Sequence, residues 1–487
     1  MNKIKLLLLL IVAVGFLVGC DDYDSWTTDT DARLTFSQDT VAFDTVIAGQ
    51  SSTTRTLMVR NENDKGLRIS RVQLREGASS LFRVNVDGQY LSGGEGEEYE
   101  VRRKDSIYVR LEVCLPETGG TDILHYEDEL RFTLENGQMQ RVVLTADGMD
   151  VDIIRGLHVS ADTLLQSARP ILLYDSLRVD SGAMLTLAPG TTLMMHDHVE
   201  ILLHGTLKAI GTPDQPITLR GDRVDRMFPY LPYDNTPNRW GGIHIYGTSL
   251  DNELAYCDIH SGDYGIVCDS TTVGLSAQRP ALTMTNCVVH NVGGVGLQLQ
   301  DCVTRIVGTQ ISNTLGHCVD ILGGDHLFVH TTIAQYYPFD ASRGDALFMG
   351  NTIGMNGDLY HHLERAHFLN CVITGYAEDV IMGSIVEGSD YQCNYLFDHC
   401  FLRTVESDDT ERFVEVVYDN DDLELEGEDN FTLFDTHNFL YDFTPDSLSV
   451  IRSLADIEHT RRYSQTDLKG RSRLQDGQPD AGAYEYQ

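Results

Sequence analysis

The chain has 487 residues, room for two or three domains, and its 73 Asp and Glu against 36 Lys and Arg give a net charge of −37. That balance makes nucleic acid and anionic lipid surfaces poor partners, so no nucleic-acid partner is expected, and it leaves basic ligands and divalent cations open.

At the amino end, Lys3 and Lys5 precede an apolar run from Leu6 to Val18, then Gly19 and Cys20. A charged head with a short greasy core reads as a secretory signal, too short to span a bilayer. Leu17-Val18-Gly19-Cys20 resembles the lipobox of bacterial lipoproteins. The resemblance implies a signal peptide over 1–19, lipidation of Cys20 and a membrane anchor held by its acyl chains, followed by a linker over 20–32. Asp21-Asp22 resembles an inner-membrane retention mark in enteric bacteria and a surface-export signal in other Gram-negative groups. The rest of the chain looks like cell-surface lipoproteins of the second group, so the expected location is the outer membrane, on its surface or periplasmic face. No other segment is apolar for long enough to span.

From Arg33 to Gly148 short alternating strands predict a β-sandwich: Leu34 and Phe36, Val41 and Phe43, Leu57 and Val59, Leu67 and Ile69. Leu130–Leu134 and Val142–Leu144 flank Asn136-Gly137, a hairpin signal in which both central residues are expected at positive φ. Phe43-Asp44-Thr45-Val46, the strand ending at Asn61, Leu81–Val84 and this hairpin resemble the hydin-like family of immunoglobulin-fold modules, which implies a spacer or interaction role over 33–148.

Beyond Met149 a repeat begins. Cys257-Asp258-Ile259 recurs as Cys287-Val288-Val289, Thr309-Gln310-Ile311, Thr331-Thr332-Ile333, Cys371-Val372-Ile373 and Cys400-Phe401-Leu402, at intervals of 30, 22, 22, 40 and 29 residues. The basic coil is thus about 22 residues, with insertions in the longer ones. Residues two apart share a face of a strand, so each triplet sends a small Cys or Thr and a large aliphatic inward. The cysteines read as small core residues, although the stacked pairs Cys257 with Cys287 and Cys371 with Cys400 leave bridging open. Asn291 and Asn313 fall at tight coil corners. This stretch, with Gly182–Gly190, Gly205–Thr212 and Trp240–Ile245, resembles the right-handed parallel β-helix, or pectin-lyase-like, superfamily. The fold class expected is all-β: an Ig-like β-sandwich, a right-handed parallel β-helix solenoid over 154–430 and a C-terminal capping segment over 431–487. The cap is carried by Asp467–Arg471 and Asp480–Glu485, which resemble the closing motif of exported β-helix proteins.

The superfamily resemblance implies polysaccharide lyases or glycoside hydrolases as one reading. Its hydrolases use clustered Asp and a Gly-His-Gly signature, which this sequence lacks, leaving Asp320, Asp325, Asp345 and Arg343 as weak catalytic candidates. Its lyases use a Lys or Arg base, with calcium as a weak cofactor expectation, but Arg305, Arg343, Arg365 and Arg403 have no acids assigned beside them. His260 and His290 stack on neighbouring coils, and His196 and His198 share a strand face. Their column lacks a third ligand, so a solvated edge is the expectation and no metal site or other cofactor is predicted. The acids from Glu406 to Asp429 lack the spacing of a calcium loop and read as a solvated face. Insertions carrying Phe228, Tyr230, Tyr233 and Trp240, then Tyr360, then Tyr391, are expected on one flank of the solenoid, where their rings can stack on sugars or pack on their own scaffold. The favoured function is non-catalytic recognition of a polysaccharide or surface protein by an envelope lipoprotein, with a carbohydrate-active enzyme and an adhesive stalk as alternatives.

Overall fold

The computed structural model describes residues 25–275, 278–353, 359–386, 388, 392–419 and 427–486, so Cys20 and Tyr391 lie outside the described residues. Tertiary contacts divide the chain after Asp150 into two compact units.

The first unit is an Ig-like sandwich of two five-stranded sheets. Alternation builds it: in Ser106–Val113 the side chains of Ile107, Val109, Leu111 and Val113 turn inward and the intervening ones outward. They join Phe43, Leu57, Ile69 and Phe132 in one core. Most pairings are antiparallel, but Thr40–Ile47 runs parallel to Met139–Met149. In the 135–138 turn only Gly137 has positive φ, at 83°, which corrects the expectation for Asn136. The Asn136 side chain instead accepts from the Gln138 amide at 3.1 Å.

The second unit is a right-handed parallel β-helix. Each full coil contributes one strand to each of three parallel sheets, here called sheets 1, 2 and 3 in the order the chain visits them. Sheet 1 runs from Asp152–Ile154 to Val417–Tyr418, sheet 2 from Leu157–Val159 to Ile381–Ser384, and sheet 3 from Thr163–Leu165 to Phe413–Val414. The repeat read from the sequence is the register of sheet 1: Ile259, Val289, Ile311, Ile333, Ile373 and Leu402 pair in turn. Cys257, Cys287, Cys371 and Cys400 are buried free thiols. Sheet 3 sends Phe328, Phe368, Phe397 and Phe413 inward as a stack with centroids 4.8, 4.9 and 5.2 Å apart.

Left-handed residues make the corners tight. Tyr256, Asn286, Gly308, His330, Asn370 and His399, each at positive φ, stand immediately before the inward Cys or Thr of sheet 1. Asn291 and Asn313 turn the opposite corner at φ 52° and 54°. Asn tolerates this region better than most residues because its short polar side chain bonds locally.

The closing segment folds back along the outer face of sheet 1 and reaches coils well before the last. The Ala483 amide donates to Thr332 Oγ1 at 2.9 Å, the Tyr484 hydroxyl to Gln310 Oε1 at 2.5 Å, and Asn370 Nδ2 to the Asp456 carbonyl at 3.0 Å. Phe431, Phe443, Ile451 and Ala483 pack there against Ala334, Tyr336, Val372 and Phe401.

Candidate functional site

On sheet 2 the outward side chains form a column, one per coil: His244, Val267, Gln298, Asp320, Phe348 and Met382. Beside it run Gln300, Leu322, Gly350 and Ser384. Connections entering the sheet are long at 222–241 and 336–346, and those leaving it are long at 269–281, 351–362 and 385–392. Around Gln298 and Asp320 they shrink to 293–296, 301–302, 315–318 and 323. The floor there opens into a depression lined by Gln298, Gln300, Asp320, Phe348, Thr352 and Ser384. Nearer the amino end of the solenoid, His204, Tyr246 and His244 continue the surface as a ring stack, each pair 4.1 Å apart.

Two carboxyl groups, Asp320 in the depression and Asp345 beside His317, are raised from the ordinary carboxylate value. Burial raises Asp320, which nearby His317 partly offsets. Burial also raises Asp345, with His317 opposing and Asp379 reinforcing the shift. His317 stacks on Phe348 at 4.9 Å, and its Nδ1 accepts from the Asp345 amide at 3.0 Å. Asp345 Oδ2 lies 3.3 Å from the same nitrogen. The depression therefore offers amide donors and acceptors, an aromatic ring and the Asp320 carboxyl, whose charged form burial disfavours.

The other residues singled out from the sequence have different positions. Asp325 is buried between Arg305 at 3.1 Å and Arg365 at 2.6 Å, an ion-pair cluster that removes it from the catalytic candidates. Three of the four coil arginines thus do have acids beside them: Arg305 and Arg365 share Asp325, and Arg403 meets Asp419 at 3.0 Å. Asp419 is buried, so this part of the 406–429 stretch is not a solvated face. Arg343 donates to the Tyr337 carbonyl at 2.9 Å and lies over the Tyr376 ring, which gives it a loop-holding position. Near it in sequence, Asp345 lies against His317. His196 and His198 do not share a strand face: they occupy the turn after Thr192–Met195, with His198 at φ 59°.

Trp240 is corrected as a ligand contact. It is fully buried, and its Nε1 donates to the His260 carbonyl at 2.8 Å, so no external ring can stack on it. Tyr233 is engaged by the Arg223 guanidinium 3.7 Å from its ring centroid. Phe228 and Tyr230 remain exposed at 49% and 43% but stack on each other, and Tyr230 also on His437 and Phe439 of the closing segment. The single-flank expectation fails on topology. The Phe228 insertion enters sheet 2, whereas the Tyr360 insertion leaves it, so these two stand on opposite edges of that sheet. Tyr360, 43% exposed, pairs with Thr352 at the rim of the depression.

Gln298, Gln300, His317 and Phe348 were not singled out from the sequence. The signal was available in alternation: Leu297, Leu299, Val319 and Ile321 point inward, which assigns Gln298, Gln300 and Asp320 to the outside.

No family model matches the chain, and no curated protein matches it. Among solved structures, the ASH / PapD-like domain of human CEP192 is 14% identical over 26% of this chain and 90% of its own, with a TM-score of 0.17. The VesB protease of Vibrio cholerae is 14% identical over 24% of this chain and 31% of its own, with a TM-score of 0.17. The catalytic domain of a GH87 alpha-1,3-glucanase in complex with nigerose is 8% identical over 72% of this chain and 82% of its own, with a TM-score of 0.19. Likenesses of this size carry no argument about activity.

Proposed function

We propose that the chain is an envelope lipoprotein, anchored through Cys20 in the outer membrane, that binds a glycan polymer along the outer face of sheet 2. The observation that carries the reading is the open floor of Gln298, Gln300, Asp320 and Phe348 between long connections on both edges. Sugars present hydroxyls to amides and carboxyls and apolar C–H faces to rings, and a floor that crosses several coils suits a repeating polymer. The lipobox-like sequence at Leu17–Cys20 supports the anchor, which two or more acyl chains would make stable.

A second reading, hydrolysis of that glycan, is favoured by Asp320 and Asp345. Both carboxyls are pushed up around His317, and a raised carboxyl is what a general acid at a glycosidic oxygen requires. The test is a polysaccharide panel scored for binding and for new reducing ends. Binding lost in Phe348→Ala and Gln298→Ala supports the recognition surface. New ends abolished in Asp320→Asn or Asp345→Asn add hydrolysis, and binding that ignores all four changes refutes the site.

A further inference from the structure

The outer face of sheet 1 carries a second cluster, separate from the sheet 2 depression. His260 and His290 pair in register on adjacent coils, with ring centroids 4.8 Å apart. Asp258, two residues before His260, leaves the same face of the strand. Its Oδ1 lies 2.8 Å from His260 Nδ1 and 3.2 Å from His290 Nε2. The third ligand that the histidine column lacked in the sequence is therefore a neighbour on the same strand.

We propose that Asp258, His260 and His290 bind one divalent transition-metal ion through Oδ1, Nδ1 and Nε2. These donor atoms all lie within 4.8 Å of one another, close enough to share an ion at ordinary bond lengths after small side-chain adjustments. A set of two imidazoles and one carboxylate favours Zn²⁺, Ni²⁺ or Cu²⁺ over calcium or magnesium, which seek oxygen ligands.

The surroundings are those of a built site. Asp234, from the insertion before Trp240, accepts from His260 Nε2 at 2.9 Å, and Arg220 holds the same carboxylate oxygen at 2.8 Å. A carboxylate on the far nitrogen orients a metal-binding imidazole and turns its other nitrogen toward the ion. The His260 carbonyl is held in turn by Trp240, so the ring hangs from a fixed strand under a fixed insertion. His260 is 6% exposed in its side chain, His290 23% and Asp258 41%, which leaves the Asp258 side open to solvent for a further ligand. Without metal, His260 Nδ1 and Asp258 Oδ1 lie at hydrogen-bond distance. An ion bound between these atoms displaces any proton they share to water.

The test uses the full-length chain, stripped with chelator and titrated with Zn²⁺ against a chromophoric competitor, with Co²⁺ absorption and Cu²⁺ electron paramagnetic resonance on the wild type. The expected result is one ion per chain and a copper spectrum with coupling to two nitrogens. His290→Gln and Asp258→Asn, checked for folding by circular dichroism, should each weaken Zn²⁺ at least 10-fold. Asp234→Asn, which leaves the ligands intact, should weaken it by about 10-fold. Zn²⁺ affinity unchanged in folded His290→Gln and Asp258→Asn, or a wild-type copper spectrum with no nitrogen coupling, overturns the assignment.

Discussion

Asp325 is a buried anion shared by Arg305 and Arg365. Burial opposes its charge, yet the two guanidinium groups outweigh burial and lower its pKa. A carboxyl lowered in the folded state stabilises above its unfolded value of about 4 and loses that contribution as pH falls through the folded value. Asp325→Asn should therefore cost about 2 kcal/mol at neutral pH, less than a fully buried pair because both arginines are partly exposed. Urea titrations of both proteins should show the gap closing in acid, and a gap constant from pH 7 to 3 would reject the ion-pair account. The corner residue Asn291, at φ 52°, gives a second residue-scale expectation. Asn291→Val should lose about 1–2 kcal/mol, since a β-branched side chain is strained in left-handed backbone, whereas Asn291→Gly should stay within about 0.5 kcal/mol. Equal melting temperatures for the two variants would contradict it.

The elements were legible where a strand is buried on one face and recurs. The triplets from Cys257 to Leu402 are the register of sheet 1, because in-register stacking repeats the same inward pair on every coil. Insertions were harder. Their lengths were readable, but which corner of the coil each occupies depends on assigning every strand to its sheet, and sheet 2 has no triplet as regular as Cys-x-Ile. That is why Phe228 and Tyr360 were expected on one flank and stand on opposite edges. Trp240 was misread because an aromatic beside a proline-rich loop looks the same in sequence whether it covers a coil or faces solvent. The depression residues followed the plain alternation of Leu297 to Gln300 and were legible in principle. The Asp258 contact to His290 required the lateral spacing between coils, which sequence does not supply. The stacked thiols give the element-scale test. Apart from Cys114, the cysteines among the described residues are buried, and burial pushes the Cys318 thiol up to about 12. A folded sample should react slowly with a disulfide reagent and release its thiols on denaturation, while rapid reaction in the folded state would contradict the packed column.

At the scale of the molecule, the solenoid makes a long surface cheaply: each coil repeats the core and is free to vary one outward residue. Sheet 2 uses that freedom to set amides, a ring and a carboxyl in line, and the long connections on its edges leave that line open at the centre. The Ig-like unit has an alternating core of its own. On the proposed reading, sheet 2 is the recognition face. The most direct measurement is glycan-panel binding by the wild type and by Phe348→Ala, with Tyr230→Ala as a ring exposed away from the depression. The account predicts that Phe348→Ala loses at least 10-fold in affinity for the bound polymer, about 1.4 kcal/mol, while Tyr230→Ala keeps it. Loss in Tyr230→Ala with Phe348→Ala unaffected would contradict it and move the recognition face to the edge shared by the 222–241 insertion and the closing segment.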